Sequence, residues 1–164
     1  MKKKKSEKIY EDHKLEVFTI PLNHRIYCNG YLFREKPKER HLNMQEISKY
    51  PEIEICDYHN LKRGKDIQLS DGYILKNENL TKPAEPSVSY AFCSDTRYLE
   101  SIIPIIKNVD VLYHESTFLD SEQQYTEKTK HCTAKEAAKI AKLANVKQLI
   151  LGHYSTRYGS IEPF

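Results

Sequence analysis

The chain has 164 residues, of which 30% are charged and 39% hydrophobic, and its net charge is +3 at pH 7. This length is enough for one domain with a sizeable core, and no apolar run approaches the roughly 20 residues that a membrane helix requires. The net charge is too small to indicate nucleic-acid binding by itself. The four cysteines are widely spaced and form no C-x-x-C pair, which favours reduced thiols in a cytoplasmic protein over a disulfide framework or a zinc knuckle.

The first third of the chain predicts two adjoining strands after an irregular start. Residues 1–14 predict a ragged end, in which the lysines at 2–5 are solvated. Strands are expected at 15–20 and 28–34, where apolar, aromatic and β-branched residues are concentrated. His24 then lies in the turn between these strands.

The middle of the chain is charged and irregular, and the remainder alternates strands with helices. We interpret residues 36–66 as a surface arm or insertion, followed by a hairpin that turns at Asp71-Gly72. Apolar runs predict strands at 88–93, 109–113 and 146–151. Helices are predicted at 96–106 with a kink at Pro104, at 121–129, and at 133–143. Thr133 and Glu136 form a capping box at the start of the last helix, whose apolar face is expected to be alanines. The whole pattern predicts an α/β protein with a mixed sheet covered by helices.

Polar residues capable of binding a metal or moving a proton stand at the ends of these runs. Asp95 follows the strand at 88–93, His114 and Glu115 follow that at 109–113, and His153 follows that at 146–151. His131 stands just before the helix at 133–143. A sheet holds such residues rigidly while their tips reach a cleft. Each residue alone is also explained as a solvated strand end, but the set together predicts a site.

His24, Asp95 and His153 form a set of two imidazoles and a carboxylate. This donor set suits a borderline metal such as zinc, which takes nitrogen and oxygen ligands. A carboxylate can also bridge two metal ions about 3.5–4 Å apart, an arrangement used in phosphodiester hydrolysis.

At these residues the chain resembles the C-terminal half of ribonuclease Z, the tRNA 3′-end processing endonuclease family of the metallo-β-lactamase superfamily. The segments P-L-N-H-R-I-Y-C-N-G-Y-L-F-R-E-K, C-S-D-T and G-H-Y-S-T-R-Y are similar to three metal motifs of that family, which match at His24, Asp95 and His153. The separations of 71 and 58 residues, from 95 − 24 and 153 − 95, agree with the family's spacing. H-E-S-T and K-H-C-T resemble two further boxes of the family.

The resemblance implies a fold and an activity. The fold would be one partial metallo-β-lactamase domain over residues 1–164, mainly the C-terminal sheet of the αββα sandwich and its outer helices. The activity would be zinc-dependent hydrolysis of precursor tRNA, which removes the 3′ trailer. Two zinc ions per intact active site and a cytoplasmic homodimer are expected for the intact protein, with no membrane association.

The resemblance also implies roles for individual residues. His24, Asp95 and His153 would be metal ligands, with Asp95 bridging. His131 would be the general acid that protonates the departing ribose oxygen, and Glu115 would orient and charge it. Arg157 and Ser155 would bind the substrate phosphate or terminal nucleotide. The alternatives are that His131 and Glu115 are surface residues and that Arg157 forms a surface salt bridge.

Two departures from the family pattern limit these expectations. The family's H-x-H-x-D-H motif, which supplies four of seven metal ligands, is absent, so we expect a fragment that is inactive unless a partner carrying this motif is supplied. Residues 36–66 contain no Gly-Pro pair of the kind found in the family's tRNA-gripping arm. Two alternatives therefore stay open: another metallo-β-lactamase-type phosphodiesterase or hydrolase, and a catalytically dead interaction or dimerisation module.

Overall fold

The structure is a computed structural model that describes residues 5–164, so the predicted solvated lysines at 2–4 lie outside the described residues. It divides into two compact units. One unit contains residues up to Lys36 together with Val88–Phe164, and the other is Pro37–Ser87.

The first unit is built on a six-stranded mixed sheet. Its strands are β1 (Lys8–Glu11), β2 (Leu15–Pro21), β3 (Asn29–Glu35), β8 (Ser89–Cys93), β9 (Val111–Glu115) and β10 (Gln148–Gly152), in the spatial order β1-β2-β3-β8-β9-β10. The pairs from β1 to β8 are antiparallel, whereas β8, β9 and β10 run parallel to one another. Because the carboxyl ends of parallel strands meet at one edge of a sheet, the residues after β8, β9 and β10 are brought together.

One face of this sheet is covered and forms the main core. In register across the strands, Leu32, Ala91, Leu112 and Leu149 point to this face. Helix α5 (Ala134–Leu143) packs on it through Ile140 and Ala141, and Ala137 of the same helix is also buried. The capping box predicted for this helix is confirmed, since Thr133 accepts from the amide of Glu136 and Glu136 accepts from the amide of Thr133. The prediction that this face consists of alanines was wrong, because Ala138 is exposed and Ile140 lies in the core instead.

The opposite face of the sheet carries aromatic side chains. Tyr31, Phe92, Tyr113 and Ile150 are in register across four strands, one position along from the core residues. Phe92 and Tyr113 stack with ring centroids 4.8 Å apart, while Tyr31 and Ile150 remain 39% and 42% exposed. These four side chains together form an apolar surface over the middle of the sheet.

Gly30 lies in β3 where two strands approach closely. A Cβ added there would be 2.3 Å from the carbonyl oxygen of Phe92 on β8. Only glycine fits this position, which explains a glycine inside a strand.

The connections in the first unit differ from the predicted helices and strand ends. Residues 96–106 form only a short 3₁₀ helix at Glu100–Ile102 followed by turns, because Pro104 cannot continue a helix. The stretch predicted as a helix at 121–129 is a 3₁₀ helix at Asp120–Tyr125 followed by α4 (Thr126–Thr129). The strand predicted at 109–113 is shifted by two residues, so His114 and Glu115 belong to β9 and do not follow it. The start is also more regular than predicted, since β1 pairs with β2.

The second unit has its own small core. Its elements are β4 (His41–Leu42), α1 (Met44–Ile47), α2 (Ile55–Lys62), β5 (Ile67–Gln68), β6 (Ile74–Leu75), α3 (Asn77–Leu80) and β7 (Thr81–Lys82). The core consists of Ile47, Ile53, Leu61, Leu75 and Leu80. Two of these lie beyond residue 66, so the unit extends past the range in which the sequence predicted an arm. The hairpin predicted around Gly72 is present as the β5–β6 pair. Among the described residues, no helix combines the length and apolar character needed to span a bilayer.

Candidate active site

The candidate active site lies at the edge of the sheet where β8, β9 and β10 end. Asp95 comes two residues after β8, Glu115 is the last residue of β9, and His153 directly follows β10. His24 lies in the loop between β2 and β3, and His131 lies ahead of α5. The structure brings together all five residues predicted for metal binding and proton transfer.

Glu115 is the central acceptor of this site and is fully buried. One carboxylate oxygen accepts from the amide of Thr96 at 2.7 Å and from Nδ1 of His131 at 2.7 Å. The other accepts from the Thr117 hydroxyl at 2.6 Å and from the amide of Cys132 at 3.1 Å. Burial alone would raise the pKa of Glu115, but these hydrogen bonds outweigh it and hold the pKa below its ordinary value. The hydrogen bonds thus stabilise the ionised form of the buried Glu115 carboxylate.

Three imidazoles form a row beside Glu115. The ring centroids of His24 and His131 are 4.8 Å apart, and those of His131 and His153 are 5.1 Å apart. In each ring, Nδ1 faces the protein: in His24 it is 3.2 Å from the carbonyl oxygen of Lys130, in His131 it meets Glu115, and in His153 it is 2.9 Å from the Thr117 hydroxyl. Each ring therefore has Nε2 left on the side away from these contacts.

Asp95 faces the same row of imidazoles. Its Oδ1 is 3.2 Å from Nε2 of His153, and Asp95 also groups with His24 and His131, with ligand atoms within 4.8 Å of one another. Asp95 and His153 both have positive φ, at 51° and 59°. Left-handed backbone in a residue other than glycine costs about 1–2 kcal/mol and is concentrated at functional sites. The fold holds both side chains in place at that cost.

These donors fit a zinc-type metal ion. Imidazole nitrogens and carboxylate oxygens are what such an ion takes, and two overlapping groups of three can be drawn: His24, Asp95 and His131, and Glu115, His131 and His153. The sequence predicted the trio His24, Asp95 and His153 instead. In the structure Asp95 is close to both histidines of that trio, and His131 adjoins both as well.

Arg157 and Ser155 lie on the segment that follows β10, and both are partly committed to contacts within the protein. The Arg157 guanidinium is 2.6 Å from a Glu122 carboxylate oxygen and lies over the rings of Phe118 and Tyr125 at 5.0 and 4.8 Å. The Ser155 amide donates to the carbonyl of Thr117. These contacts tie the end of the chain to the loop after β9.

Two functional-site residues were missed by sequence reasoning, Thr96 and Thr117. Thr96 is buried, its hydroxyl accepts from the amide of Asn23, and its amide donates to Glu115, so it joins the loop of His24 to the loop of Asp95. Thr117 joins Glu115 to His153. Thr96 follows Asp95 by one position, and Thr117 follows Glu115 by two. This closeness to a proposed acidic site residue is the sequence signal that could have identified them. His114, by contrast, is buried in the core, where burial lowers its pKa and favours the neutral ring.

Comparisons with known proteins bear on this arrangement. No protein-family model matches the chain. The chain is 49% identical over 162 residues to ribonuclease Z of Cytophaga hutchinsonii, a match that covers 97% of this chain and 50% of that protein. Among solved structures, the short form of human tRNase Z has a TM-score of 0.56 at 21% identity, covering 93% of this chain and 41% of that one. The metallo-β-lactamase fold protein YhfI from Bacillus subtilis has a TM-score of 0.52 at 18% identity, covering 92% and 41%.

The fold is that of the metallo-β-lactamase class, and the chain carries part of it, with a mixed sheet and its outer helices, as the sequence predicted. The imidazole and carboxylate groups described above are candidate ligands for a metal ion. Curated ribonuclease Z sequences match at 40–49% identity. The chain belongs to the ribonuclease Z family and corresponds to its C-terminal half. It spans about half the length of the curated relatives it matches.

Proposed function

We propose that the chain supplies half of the active site of a zinc-dependent endoribonuclease, which hydrolyses precursor tRNA to remove the 3′ trailer. The observation that carries this proposal is the convergence of three imidazoles and two carboxylates at one edge of the sheet, each imidazole held through Nδ1. The same residues are the ones that matched the family motifs in sequence.

The metal ligands on this chain would be His24, Asp95 and His153, with Asp95 shared between two zinc ions. The 3.2 Å approach of Asp95 to Nε2 of His153 and the proximity of Asp95 to His24 support that assignment. When bound, zinc supplies Lewis-acid polarisation of the phosphoryl oxygens. Three ligands do not complete two zinc sites, so we propose that the remaining ligands come from polypeptide homologous to the N-terminal half of ribonuclease Z, which carries H-x-H-x-D-H.

His131 would be the general acid. Hydrolysis that leaves a 3′-hydroxyl on the tRNA requires a proton on the departing ribose oxygen, and the Nε2 of His131 is the side that faces the cleft. The Glu115 carboxylate at 2.7 Å from Nδ1 fixes the orientation of the ring, so that Nε2 is the nitrogen available for proton transfer. Because Glu115 is fully buried and held by four other donors, it can keep this position throughout the reaction.

Arg157 and Ser155 would contact the substrate phosphate or terminal nucleotide. The Arg157 side chain is 42% exposed and its ion pair with Glu122 occupies one part of the guanidinium edge, which leaves donors for a second anion.

We further propose a homodimer of the intact protein and a cytoplasmic location. The reduced thiols of Cys56, Cys93 and Cys132 support the latter.

The test uses the chain joined to the N-terminal half of the Cytophaga hutchinsonii ribonuclease Z. Cleavage of precursor tRNA is compared with cleavage of a small chromogenic phosphodiester. Efficient removal of the 3′ trailer is the expected result. Turnover of the small diester alone would indicate another hydrolase of this class, and activity on neither, with less than one zinc per chain, would indicate an interaction module.

A further inference from the structure

Thr117 lies between the imidazole proposed to bind metal and the buried carboxylate. Its hydroxyl oxygen is 2.6 Å from Oε2 of Glu115 and 2.9 Å from Nδ1 of His153. Thr117 is itself buried, and its amide donates to the same carboxylate oxygen. None of the roles proposed above uses this side chain.

The chemistry of the hydroxyl decides the direction of both hydrogen bonds. A threonine hydroxyl has one proton to donate, whereas an ionised carboxylate only accepts. The Thr117 hydroxyl therefore donates its hydrogen bond to Glu115, and the hydroxyl oxygen accepts a hydrogen bond from the Nδ1–H of His153. A neutral imidazole carries one N–H, so Nε2 of His153 is left with a lone pair.

That lone pair points at another acceptor. Nε2 of His153 is 3.2 Å from Oδ1 of Asp95, so two electron-rich atoms face each other across the cleft. Both side chains are about 40% exposed, and water can solvate these atoms until a cation takes a position between them. The buried Thr117 oxygen has no such solvent, so its contact with Nδ1 controls the ring.

We propose that Thr117 is a positioning residue that fixes His153 as the Nδ1–H tautomer and so presents Nε2, with Asp95, to a divalent cation. The inference rests on the proposed function in taking His153 and Asp95 as ligands. Glu115 thereby orients two imidazoles, His131 directly and His153 through the Thr117 hydroxyl. Partners that orient a ligating histidine typically change metal affinity 10–100-fold when they are removed.

The first test is nuclear magnetic resonance of the metal-free chain labelled with ¹⁵N-histidine, at a pH high enough that each imidazole carries one proton. Long-range ¹H–¹⁵N spectra distinguish the two tautomers. We expect the Nδ1–H form for His153 in the wild-type chain and in Thr117→Ser, and loss of that preference in Thr117→Val. An Nε2–H form in the wild-type chain would overturn the proposal, even if the valine variant failed to fold. An unchanged His153 in a folded valine variant would do the same.

The second test is calorimetric titration of the chain with Zn²⁺. Thr117→Val is expected to weaken binding by about 10–100-fold, and Thr117→Ser to retain it. Thr19→Val is the matched control, since within residues 5–164 the Thr19 hydroxyl hydrogen-bonds with the backbone of Glu7 and with no site residue. Equal zinc affinity in Thr117→Val and the wild-type chain would refute the positioning role. Failure of the joined protein to cleave precursor tRNA would instead count against the proposed function and leave this result standing.

Discussion

At the scale of single residues, the site depends on how each imidazole is held. Nδ1 of each ring is bonded inward, to a backbone carbonyl, a carboxylate or a hydroxyl, so Nε2 is available to the cleft. Sequence motifs predicted which histidines and acids the fold brings together, because the residues themselves identify the family's boxes. They did not predict the part played by Thr96 and Thr117, because a hydroxyl that joins two loops is recognisable only when both loops are placed.

Replacing His131 with alanine tests its role in proton transfer. We expect cleavage by the joined protein to slow by about 10²–10⁴-fold, because the departing oxygen loses its proton donor. Zinc content should be retained, since the proposed ligands are unchanged. Single-turnover cleavage and metal analysis measure the two quantities.

His13→Ala is the matched control for that variant, because His13 is exposed and lies in the same compact unit. It should cleave at the wild-type rate. A His131→Ala protein that cleaved within a few fold of wild type would contradict the assignment.

At the scale of elements, the three parallel strands place the site, and their opposite ends are joined by Asp110. Its carboxylate accepts from the amide and hydroxyl of Ser89, each at 2.7 Å, and from the Lys147 ammonium at 2.5 Å. Asp110 thus ties the starts of β8, β9 and β10 together. The positions of β2, β3, β8, β9 and β10 were predicted to within two residues from the apolar runs. The helix predicted at 96–106 was wrong, since residues 96–99 are not helical and turns follow the short 3₁₀ helix at Glu100–Ile102.

Asp110 gives a prediction for stability against pH. The bonds from Lys147 and then Ser89 lower its pKa from 3.8 to about 2. A folded-state pKa below the unfolded one means that the contribution is complete above about pH 3.8 and is lost as the pH falls toward 2. Asp110→Asn should therefore be less stable than wild type by about 1 kcal/mol at pH 7, since the pair is partly exposed.

Urea unfolding of both proteins between pH 7 and pH 2.5 measures this difference, which should shrink below pH 4. Asp120→Asn serves as the control, because Asp120 makes a single exposed ion pair with Lys135 at 3.0 Å. A difference between Asp110→Asn and wild type that stayed constant down to pH 2.5 would refute the explanation.

At the scale of the whole molecule, one face of the large sheet has a core and the other has an aromatic row. The proposal that ligands come from an N-terminal half predicts that this half also covers the row of Tyr31, Phe92, Tyr113 and Ile150. The order of strands and helices along the chain predicted a mixed sheet covered by helices. The extent of the second compact unit was not predicted from the sequence, because its core depends on Leu75 and Leu80 packing against residues far earlier in the chain.

Ile150→Asp tests whether this face is an interface. Because Ile150 is 42% exposed, the change should alter the stability of the chain alone by less than about 0.5 kcal/mol. It should nevertheless weaken association with the separately supplied N-terminal half of the Cytophaga hutchinsonii protein by at least about tenfold, because a charge would be buried. Ile161→Asp is the control, since Ile161 is exposed near the end of the chain. Equal association of both variants would contradict the prediction.

The central claim is that Asp95 joins His24 and His153 in holding divalent cations, and native mass spectrometry of the joined protein measures this directly. We predict two zinc ions per chain in the wild-type protein and fewer than one in Asp95→Ala, with precursor tRNA still bound within a few fold but not cleaved. Two zinc ions and undiminished cleavage in Asp95→Ala would contradict the account.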